Sequence, residues 1–268
     1  MKILVITPSL GVSPWLDETV ASVAALPVAS RHVLVCPAEV RAGLEKRFPQ
    51  VRVVTEPGGG MYAAINAGLA AATGEWDAVT YINDDDLLLP GFAAQARTLE
   101  RAGSGPMIAY GNVKLIDGRG RRLGAIPVSP FPSLNRALYA QRLEPVYQHG
   151  TLVSRAALAA LRGFDESFRF CGDSEFLARA CVAGVPFLRT GGPPVAAFRL
   201  RTGQLTKHRA AMRAERTKVD EKLGLLAPQP ALRRWWARLA FRTANLPVYA
   251  ERMARHGWVS FDELLAQA

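Results

Sequence analysis

Short apolar runs alternate with segments in which apolar residues recur every three or four positions through the first hundred residues. Such runs are typical of buried parallel strands, and the spaced segments are typical of amphipathic helices. The first run ends at Thr7 and Pro8, and Ser13 and Pro14 then offer an N-cap and a first-turn proline for a helix. The alternation predicts βαβ units, and therefore an α/β fold with a mostly parallel sheet flanked by helices.

The remaining elements follow from the same two periodicities. In the first half we expect strands at 32–36, 51–55, 78–82 and 107–113, and helices at 38–48, 61–73 and 91–102. In the second half we expect strands at 151–154, 185–189 and 195–201, and helices at 155–161 and 174–183. The turn residues 117–120 predict a hairpin of 113–116 with 122–126. Residues 127–145 predict an irregular segment, either a substrate-binding loop or a surface connection.

The positive charge is concentrated towards the C-terminus of this 268-residue chain, whose formal net charge is +10. Residues 1–198 contain 19 basic and 17 acidic side chains, whereas residues 199–255 contain 14 basic and 4 acidic ones. Beyond Gly203 the pattern is helical throughout, and Pro228 and Pro230 predict a break between two helical segments. The basic character therefore belongs to a C-terminal extension, and we expect the chemistry in the nearly neutral part before it.

Cysteine use and hydropathy narrow the class of protein. Cys36, Cys171 and Cys181 are odd in number and far apart, which argues against a disulfide framework and against a cysteine-rich zinc site. No apolar run approaches the roughly 18 to 20 residues that cross a bilayer. The apolar run of the first predicted strand ends before Pro8, so it is too short for the hydrophobic core of a signal peptide. We expect a cytoplasmic protein that is neither secreted nor membrane-spanning.

Three adjacent carboxylates, Asp84, Asp85 and Asp86, directly follow the predicted strand 78–82. Ligands of open parallel sheets bind beyond the carboxyl ends of the strands. Adjacent carboxylates repel one another, and a divalent cation that prefers oxygen ligands, Mg²⁺ or Mn²⁺, would neutralise them. The run therefore predicts a divalent-cation site. The alternative is a solvated loop whose last aspartate caps the next helix.

A glycine-rich turn from Glu56 to Gly60 lies between a predicted strand and the helix from Met61. Amides at a helix N-terminus bind anions, so this turn predicts a phosphate site. Tyr62 and Asn66 lie one helical turn apart and are expected to face the strand ends together. The spacing fits neither a dinucleotide fingerprint nor a P-loop, and a mobile turn before a core helix is the alternative.

Five segments with recognisable patterns follow one another in a consistent order. They are residues 55–68 (like sEpDxGiyDAmNxG), 72–76 (like AtGdwi), 81–91 (like fLnsDDxlxpg), 148–155 (like hqxxfxrr) and 163–176 (like GgFDexf…xxDyef). Together they resemble the inverting family 2 glycosyltransferases of the GT-A fold over roughly residues 1–200. Ordered agreement of several motifs is far more specific than any single one.

The resemblance implies a nucleotide-sugar donor, a divalent cation and one displacement that inverts the anomeric carbon. It implies that Asp84, Asp85 and Asp86 hold the cation and the donor diphosphate. Asp173 matches the general base that takes the acceptor proton, with Glu175 in reserve. The implied donor-binding set is Thr7, Pro8, Glu56, Gly60, Tyr62, Asn66, Asp84 and Asp85.

His149 belongs to the implied catalytic set and is expected to reach the metal or the acceptor. Its alternative is a neutral histidine satisfied within a strand. The alternative for Asp173 is an N-cap of the helix predicted from Ser174. The change in pattern beyond Gly203, together with the extent of the resemblance, divides the chain into a catalytic domain and a helical extension. These are residues 1–203, with a donor half 1–113 and an acceptor half 114–203, and residues 204–268.

The sequence departs from the family pattern on the donor side. Many members have an acidic DDGSxD loop after the second strand, whereas this chain continues from Cys36 with Pro-Ala-Glu39. Gly58 and Ala63 stand where the family segment usually has aspartates. Donor recognition is therefore expected to be altered, with Glu56 the favoured substitute for the missing acids.

Residues 231–243 predict an amphipathic helix in the basic extension. Its apolar face holds Leu232, Trp235, Trp236 and Leu239. The arginines at 234, 238 and 242 lie on a different side, a combination typical of helices that bind anionic lipid surfaces. The alternative is that the tryptophans pack on the catalytic domain and the arginines are merely solvated.

The main hypothesis is a cytoplasmic, metal-dependent, inverting glycosyltransferase on the inner face of the membrane. It would move a sugar from a nucleotide-sugar donor, by family habit a UDP-sugar, to a glycan or lipid-linked acceptor. A sugar-nucleotide pyrophosphorylase would need basic residues after the first strand, and residues 7–13 contain none. A third hypothesis is a catalytically weakened binding protein that uses its basic tail on an anionic membrane or nucleic acid. Clustering of the tail aromatics on one face disfavours nucleic acid.

Overall fold

The computed structural model describes residues 1–201, 209–225, 229–259 and 263–264. The strands are β1 (Ile3–Pro8), β2 (Ser30–Cys36), β3 (Arg52–Thr55), β4 (Ala78–Tyr81), β5 (Leu87–Leu88), β6 (Ile108–Tyr110), β7 (Val113–Ile116), β8 (Arg122–Ala125), β9 (Thr151–Ser154), β10 (Phe187–Arg189) and β11 (Ala196–Arg199). The helices are α1 (Leu16–Ala24), α2 (Ala38–Arg47), α3 (Met61–Ala71), α4 (Phe92–Ala102), α5 (Asn135–Tyr139), α6 (Arg155–Leu161), α7 (Gly172–Val182), α8 (Arg209–Lys222), α9 (Ala231–Ala244) and α10 (Leu246–His256).

Seven strands form a central sheet in the order β10-β6-β9-β4-β1-β2-β3. Neighbouring strands are parallel except around β9, which runs antiparallel to β4 and β6. Strand β1 is buried on both faces: Leu4 and Ile6 join the core beneath α3, and Ile3 and Val5 join the core beneath α4. Burial on both faces explains why this strand is a continuous apolar run. The predicted mostly parallel α/β sheet flanked by helices is confirmed.

Helices cover both faces of the central sheet. Helices α3, α6 and α7 bury apolar residues on one face, and α1, α2 and α4 do so on the other. Helix α3 lies close to the sheet at Gly68, where an added Cβ would be 2.9 Å from the side chains of Ile6 and Val35. This close approach holds the N-terminus of α3 at the carboxyl ends of the strands.

A second, four-stranded sheet has the order β5-β11-β7-β8. The predicted hairpin is confirmed, because β7 and β8 pair antiparallel. The prediction of a single strand over residues 107–113 is wrong. The chain leaves the central sheet after Tyr110 and joins the second sheet at Val113, and Gly111 between them packs against Val195 without room for a Cβ. The two strands take their hydrogen-bond partners from different sheets, which the apolar pattern does not reveal.

Three further local predictions are corrected. Helix α1 begins at Leu16 with Trp15 and not Ser13 as its N-cap, and the Ser13 hydroxyl donates to the backbone carbonyl of Asp84 at 2.8 Å. Helix α7 begins at Gly172 after Cys171, so Asp173 lies in its first turn and is not the N-cap. The irregular segment 127–145 contains the short helix α5, which is stabilised by burial against α9.

The extension folds into three described helices. Helix α8 buries Val219 in the core beneath α3, and α9 packs Ala237 and Phe241 against α5. Helix α10 packs against β8. The predicted break is present, since α8 ends at Lys222 and α9 begins at Ala231. Pro228 and the expected domain boundary at 203/204 lie outside the described residues.

Among the described helices, none combines the length and the apolar composition needed to cross a bilayer.

Candidate active site

Strands β1, β2, β3 and β4 are parallel, so their carboxyl ends lie at the same edge of the central sheet. The loops that follow them contain Ser9, Pro37, the glycine turn 58–60 and the acidic run 84–86. Ligands of such sheets bind at this edge. The acidic run that stands out in the sequence therefore lies where a ligand is expected.

Asp84 contacts the loop after β1, and Asp85 contacts the segment after β11. Asp84 Oδ2 accepts a hydrogen bond from Ser9 Oγ at 2.5 Å. Asp85 Oδ2 lies 2.5 Å from Nε of Arg201, two residues beyond β11. Burial raises the pKa of Asp84, and burial together with the neighbouring Asp86 raises the pKa of Asp85 to about 6 although Arg201 opposes the shift. Burial and the charge of Asp86 therefore disfavour the ionised forms of Asp84 and Asp85.

Asp86 is the innermost of the three carboxylates and is completely buried. Its Oδ1 accepts the backbone amide of Arg199 at 2.7 Å. Its Oδ2 lies 3.2 Å from Nδ2 of Asn83 and 3.1 Å from Nε2 of His149. Asp86 is thus held by groups from β11 and from the segment before β9, and it fixes the acidic run to both.

His149 lies between the acidic run and α7, with its ring centroid 4.4 Å from that of Phe198. Burial alone would lower the pKa of His149, but the charges of Asp86, and to a smaller extent of Asp173 and Asp85, raise it above its usual value. Among the described residues, its Nδ1 has no hydrogen-bond partner. A buried ring nitrogen without a hydrogen-bond partner is suited to bind a polar group of a ligand.

Asp173 is held by Tyr62, which is buried at the start of α3. The Tyr62 hydroxyl donates to Asp173 Oδ1 at 3.2 Å and accepts the Asp173 amide at 3.1 Å. The amide of Ser174 also donates to Oδ1, at 2.8 Å. Burial raises the pKa of Asp173, while Ser174 and the charge of His149 oppose that shift. The carboxylate is therefore oriented and made more basic than in water.

Gly172 brings α7 and Tyr62 together. A Cβ at this position would lie 2.6 to 2.8 Å from three ring atoms of Tyr62, which is too close for any other residue without displacement. Only glycine therefore lets the tyrosine ring lie against the first turn of α7. The contact places the Tyr62 hydroxyl beside Asp173.

Glu175 is completely buried and lies in a network of cations. Its Oε1 is 2.9 Å from Arg179 Nε and 2.7 Å from Lys222 Nζ, and its Oε2 is 2.9 Å from Arg179. These contacts join α7 to α8. Both carboxylate oxygens of Glu175 are thus paired with cations.

The donor-side candidates are separated by the structure into two groups. Glu56, Pro8 and the exposed glycine turn ending at Gly60 lie at the open edge of the sheet. Thr7 is buried, and its hydroxyl lies 2.9 Å from Nε2 of His32 in the neighbouring strand β2. Its side chain is therefore directed towards β2. Asn66 donates to the Phe164 carbonyl and to Glu166 Oε1, both at 2.8 Å, which ties α3 to the segment before α7.

The acidic run provides the oxygen ligands that Mg²⁺ and Mn²⁺ prefer. Among the described residues, no three side chains of histidine, cysteine, aspartate or glutamate converge as a preformed metal site. Asp84 and Asp85 nevertheless fit a cation of the kind that uses one or two protein carboxylates and completes its shell with water and a diphosphate.

Sequence reasoning missed the two arginines at the end of β11. Arg199 is completely buried and its Nε donates to the Asp85 carbonyl at 2.7 Å, while Arg201 reaches the Asp85 carboxylate. An Arg-x-Arg pair at a strand end places both side chains on one side of the strand, and that spacing is the signal that was present. Its partner, an acidic run over a hundred residues earlier, is evident only in the fold.

The sequence model described as Glycosyl transferase family 2 matches residues 4–161. No curated protein matches the chain at a significant level.

Similar folds occur among solved structures. TarS 1-349 from S. aureus in complex with UDP-GlcNAc is 16% identical, with 98% of this chain and 78% of that chain covered and a TM-score of 0.62. The mannosyltransferase PcManGT from Pyrobaculum calidifontis in complex with GDP-Man and Mn²⁺ is 18% identical, with 99% and 78% covered and a TM-score of 0.57. At these identities the similarity shows a shared fold.

Proposed function

This chain belongs to glycosyl transferase family 2, and on that premise we propose that it transfers a sugar from a nucleotide-sugar donor to a glycan or lipid-linked acceptor, with inversion. The GT-A type α/β fold that the motifs implied is confirmed. Two proteins of similar fold were solved with UDP-GlcNAc and with GDP-Man, and both of these ligands are nucleotide sugars. A UDP-sugar is the first candidate donor.

The observation that carries the proposal is that carboxylates from two distant parts of the chain act on one buried histidine. Asp86 contacts His149 Nε2 directly, and the charge of Asp173 contributes to the raised pKa of the same ring. The acidic run and Asp173 therefore lie around one region at the edge of the sheet. This arrangement suits a donor diphosphate on one side and an acceptor hydroxyl on the other.

In the proposed reaction, Asp173 is the general base. It removes the proton from the acceptor hydroxyl while that oxygen attacks the anomeric carbon of the donor. The bond from this carbon to the phosphate oxygen breaks, and its electron pair leaves on the nucleoside diphosphate. One displacement of this kind inverts the anomeric configuration. Tyr62 orients the carboxylate through its hydroxyl, and burial makes the carboxylate a better base.

A divalent cation, Mg²⁺ or Mn²⁺, would be held by Asp84 and Asp85, with Asp86 fixing the loop from its buried position. When bound, such a cation supplies Lewis-acid stabilisation of the charge on the leaving diphosphate. The exposed amides of the turn that ends at Gly60 are proposed to contact the phosphates, and Glu56 is proposed to contact the ribose or base.

The proposed division of labour assigns the donor to residues 1–113 and the acceptor to residues 114–203. Helix α8 follows this range in sequence but packs in the same core as α7, through Val219, and its Lys222 contacts Glu175. We therefore assign α8 to the acceptor side as well.

A membrane surface is the proposed partner of α9. The face that packs on α5 consists of Ala237 and Phe241, while Trp235 and Trp236 are 56% and 53% exposed on the opposite side. The structure thus disfavours packing of the tryptophan pair on the catalytic domain. The helix contains four arginines and no acidic residue, so an anionic lipid surface complements it in charge.

The membrane face is held rigidly to the acceptor half. The buried side chain of Asn245, between α9 and α10, accepts the Val128 amide at 3.1 Å and donates to the Val128 carbonyl at 2.9 Å. A lipid surface bound to α9 would therefore keep a constant position relative to the segment 127–145. Such an arrangement suits a lipid-linked acceptor and a peripheral location on the inner face of the membrane.

The proposed function is tested by nucleoside diphosphate release. Purified chain is incubated with UDP-, GDP- and dTDP-sugars and Mn²⁺ or Mg²⁺, and nucleotide binding is measured by calorimetry in the same samples. We expect metal-dependent binding and slow release from one donor even without acceptor, since water can replace the acceptor. Asp173→Asn should retain donor binding and lose release by about a hundredfold or more, the typical contribution of a general base.

The contradicting result is absence of binding for every nucleotide sugar in the presence of metal. The departures at Cys36, Gly58 and Ala63 would then explain the loss of donor recognition, and the binding-protein hypothesis would take its place. Loss of donor binding in Asp173→Asn would assign that residue to the donor side and contradict its role as base.

A further inference from the structure

Two arginines two residues apart lie over the same tryptophan but differ in solvent exposure. The guanidinium carbons of Arg199 and Arg201 lie 5.4 and 5.7 Å from the ring centroid of Trp15. The Arg199 side chain has no solvent exposure, whereas that of Arg201 is 30% exposed. Alternation along β11 and the residues after it places both on one side, one at the inner and one at the outer end.

Arg199 is a structural anchor. Its Nη2 is 2.6 Å from Glu18 Oε2, its Nε donates to the Asp85 carbonyl, and its backbone amide donates to Asp86. A displacement of this fully buried guanidinium would break its contacts with Glu18 and with the Asp85 carbonyl, which is costly for a buried charge. Arg199 therefore stays in place when a ligand binds.

Arg201 occupies the carboxylate that the proposed function assigns to the cation. Its Nε lies 2.5 Å from Asp85 Oδ2, and the Asp85 side chain is only 6% exposed. A divalent cation on Asp85 would bring two positive groups to one carboxylate, and these repel each other. The nucleoside diphosphate arrives at the same place with negative charge, and a planar guanidinium matches phosphate oxygens in a bidentate manner.

We propose that Arg201 is an exchangeable counter-ion of the acidic run, which leaves Asp85 for the donor diphosphate when the divalent cation binds. In the resting protein its charge offsets the repulsion among the three carboxylates. In the donor complex it contacts the diphosphate and stabilises the charge that develops on the leaving group. This inference rests on the proposed function, because it requires a diphosphate donor.

The exchange predicts opposite effects of one substitution on two ligands. Arg201→Gln removes the guanidinium that competes for Asp85, so Mn²⁺ alone should bind about fivefold tighter, the size expected when a partly exposed ion pair no longer has to be broken. The same variant should bind UDP, in the presence of saturating Mn²⁺, about tenfold more weakly because a charge-assisted contact is lost. Arg201→Lys should retain wild-type Mn²⁺ affinity and show intermediate UDP affinity.

Titration calorimetry of Mn²⁺ alone, and then of UDP with Mn²⁺, measures both effects. Arg47→Gln is the matched control, because it removes an arginine from an exposed ion pair with Asp17, a residue outside the acidic run, and it should change neither affinity. Thermal unfolding of each variant identifies loss of fold, and Arg201→Lys keeps the test valid if Arg201→Gln is unstable.

Opposite changes in the two affinities support the exchange. Unchanged or weaker Mn²⁺ binding in Arg201→Gln overturns it, and so does absence of Mn²⁺ binding in both the wild type and the variant, because Asp85 is then no cation ligand. Failure of the proposed function is distinguished by the wild type. A wild-type chain that binds Mn²⁺ but none of UDP, GDP or dTDP contradicts the donor proposal itself and, with it, the diphosphate half of the exchange.

Discussion

Helices α8 and α9 look alike in the sequence and have opposite roles in the structure. Both have 14 residues, both are rich in basic residues, and both lie in the extension. Helix α8 turns Arg216, Val219 and Asp220 into the protein interior, whereas α9 leaves Trp235 and Trp236 exposed. The helix with the more polar composition is thus the more deeply integrated.

The two helices differ in the groups that their charged side chains contact. In α8, Glu215 accepts the backbone amides of Arg169, Phe170 and Cys171 at 2.7 to 2.9 Å, directly before the first turn of α7. In α9, all four arginine side chains are exposed. A basic helix is therefore integrated when complementary carboxylates and carbonyls lie opposite it, and it remains an interaction surface when they do not.

The largest effect is expected from Arg216 in α8, which contacts Asp220 at 3.3 Å, the carboxylate of Glu144, and the Tyr139 carbonyl at 2.9 Å. Arg216→Met should lower the free energy of unfolding by about 3 kcal/mol, because it removes the cation of Glu144 and one of the two arginines that contact the buried Asp220. Urea unfolding measures the loss. The exposed Arg238→Met in α9 should change it by no more than about 0.5 kcal/mol. Equal losses in the two variants would remove the distinction between the helices.

The next effect concerns the exposed face of α9. Substitution of both Trp235 and Trp236 by serine should weaken binding to phosphatidylglycerol-containing vesicles about thirtyfold or more, because two large aromatic side chains no longer enter the interface. The melting temperature should not change. Vesicle co-sedimentation measures binding, with Leu10→Ser, at another exposed apolar position, as control.

Two results would contradict the membrane proposal for α9. Vesicle binding that is indifferent to the tryptophans would remove the role of the apolar face. Salt-sensitive binding of RNA in preference to anionic vesicles would favour the nucleic-acid alternative.

A smaller effect is expected from Glu215, which we regard as a positioning residue for Asp173. Glu215→Ala should lower kcat for sugar transfer about tenfold with little change in donor KM, because three amides before α7 lose their acceptor and a misplaced base slows only the chemical step. Glu215→Gln should restore part of kcat, since its amide oxygen still accepts hydrogen bonds. The exposed Glu221→Gln in the same helix is the control. An equal rise in KM would show a general disturbance of the site instead.

The smallest effect is a dependence of stability on pH. Burial would raise the pKa of Asp165, but Lys222 of α8 and the hydroxyl and amide of Ser167 outweigh it and lower the pKa from 3.8 to about 2. The lowered pKa stabilises the fold above pH 4, and this stabilisation disappears as the pH falls towards 2. Because both side chains are partly exposed, the contribution is less than about 1 kcal/mol.

Asp165→Asn removes this carboxylate and leaves the contact of Lys222 with Glu175 in place, so it should lose stability relative to wild type at pH 6 and much less at pH 2.5. Urea unfolding across this range measures the difference, and Arg238→Met in α9 should show no such dependence. A difference that is constant with pH would show that Asp165 acts through its hydrogen bonds and not through its charge.

Much of the fold follows from local pattern. Strands β1 to β4 and helices α2, α3 and α4 lie within a few residues of their predicted bounds, because burial imposes a periodicity that neighbouring residues record. The prediction of a single strand over 107–113 was wrong because the chain passes from the central sheet to the second sheet within this segment. Helix α5 was missed because its stability depends on α9, about a hundred residues later.

The candidate site divides in the same way. The acidic run, the glycine turn and the segment around Asp173 were evident as residue types at characteristic spacings. The neighbours that determine their chemistry were not evident, since Arg199, Arg201 and Glu215 are ordinary charged residues until the fold brings them to Asp85, Asp86 and the start of α7.

The sequence by itself determined the α/β alternation, the family and the position of the carboxylates along the chain. Each of these is a short-range property, recorded by side-chain chemistry within a few turns of helix or one strand. Only the tertiary structure decided which arginine balances which carboxylate, which basic helix joins the core, and that Trp235 and Trp236 face outwards. Those outcomes depend on contacts between distant segments, because an apolar or charged face has no defined partner until the chain has packed.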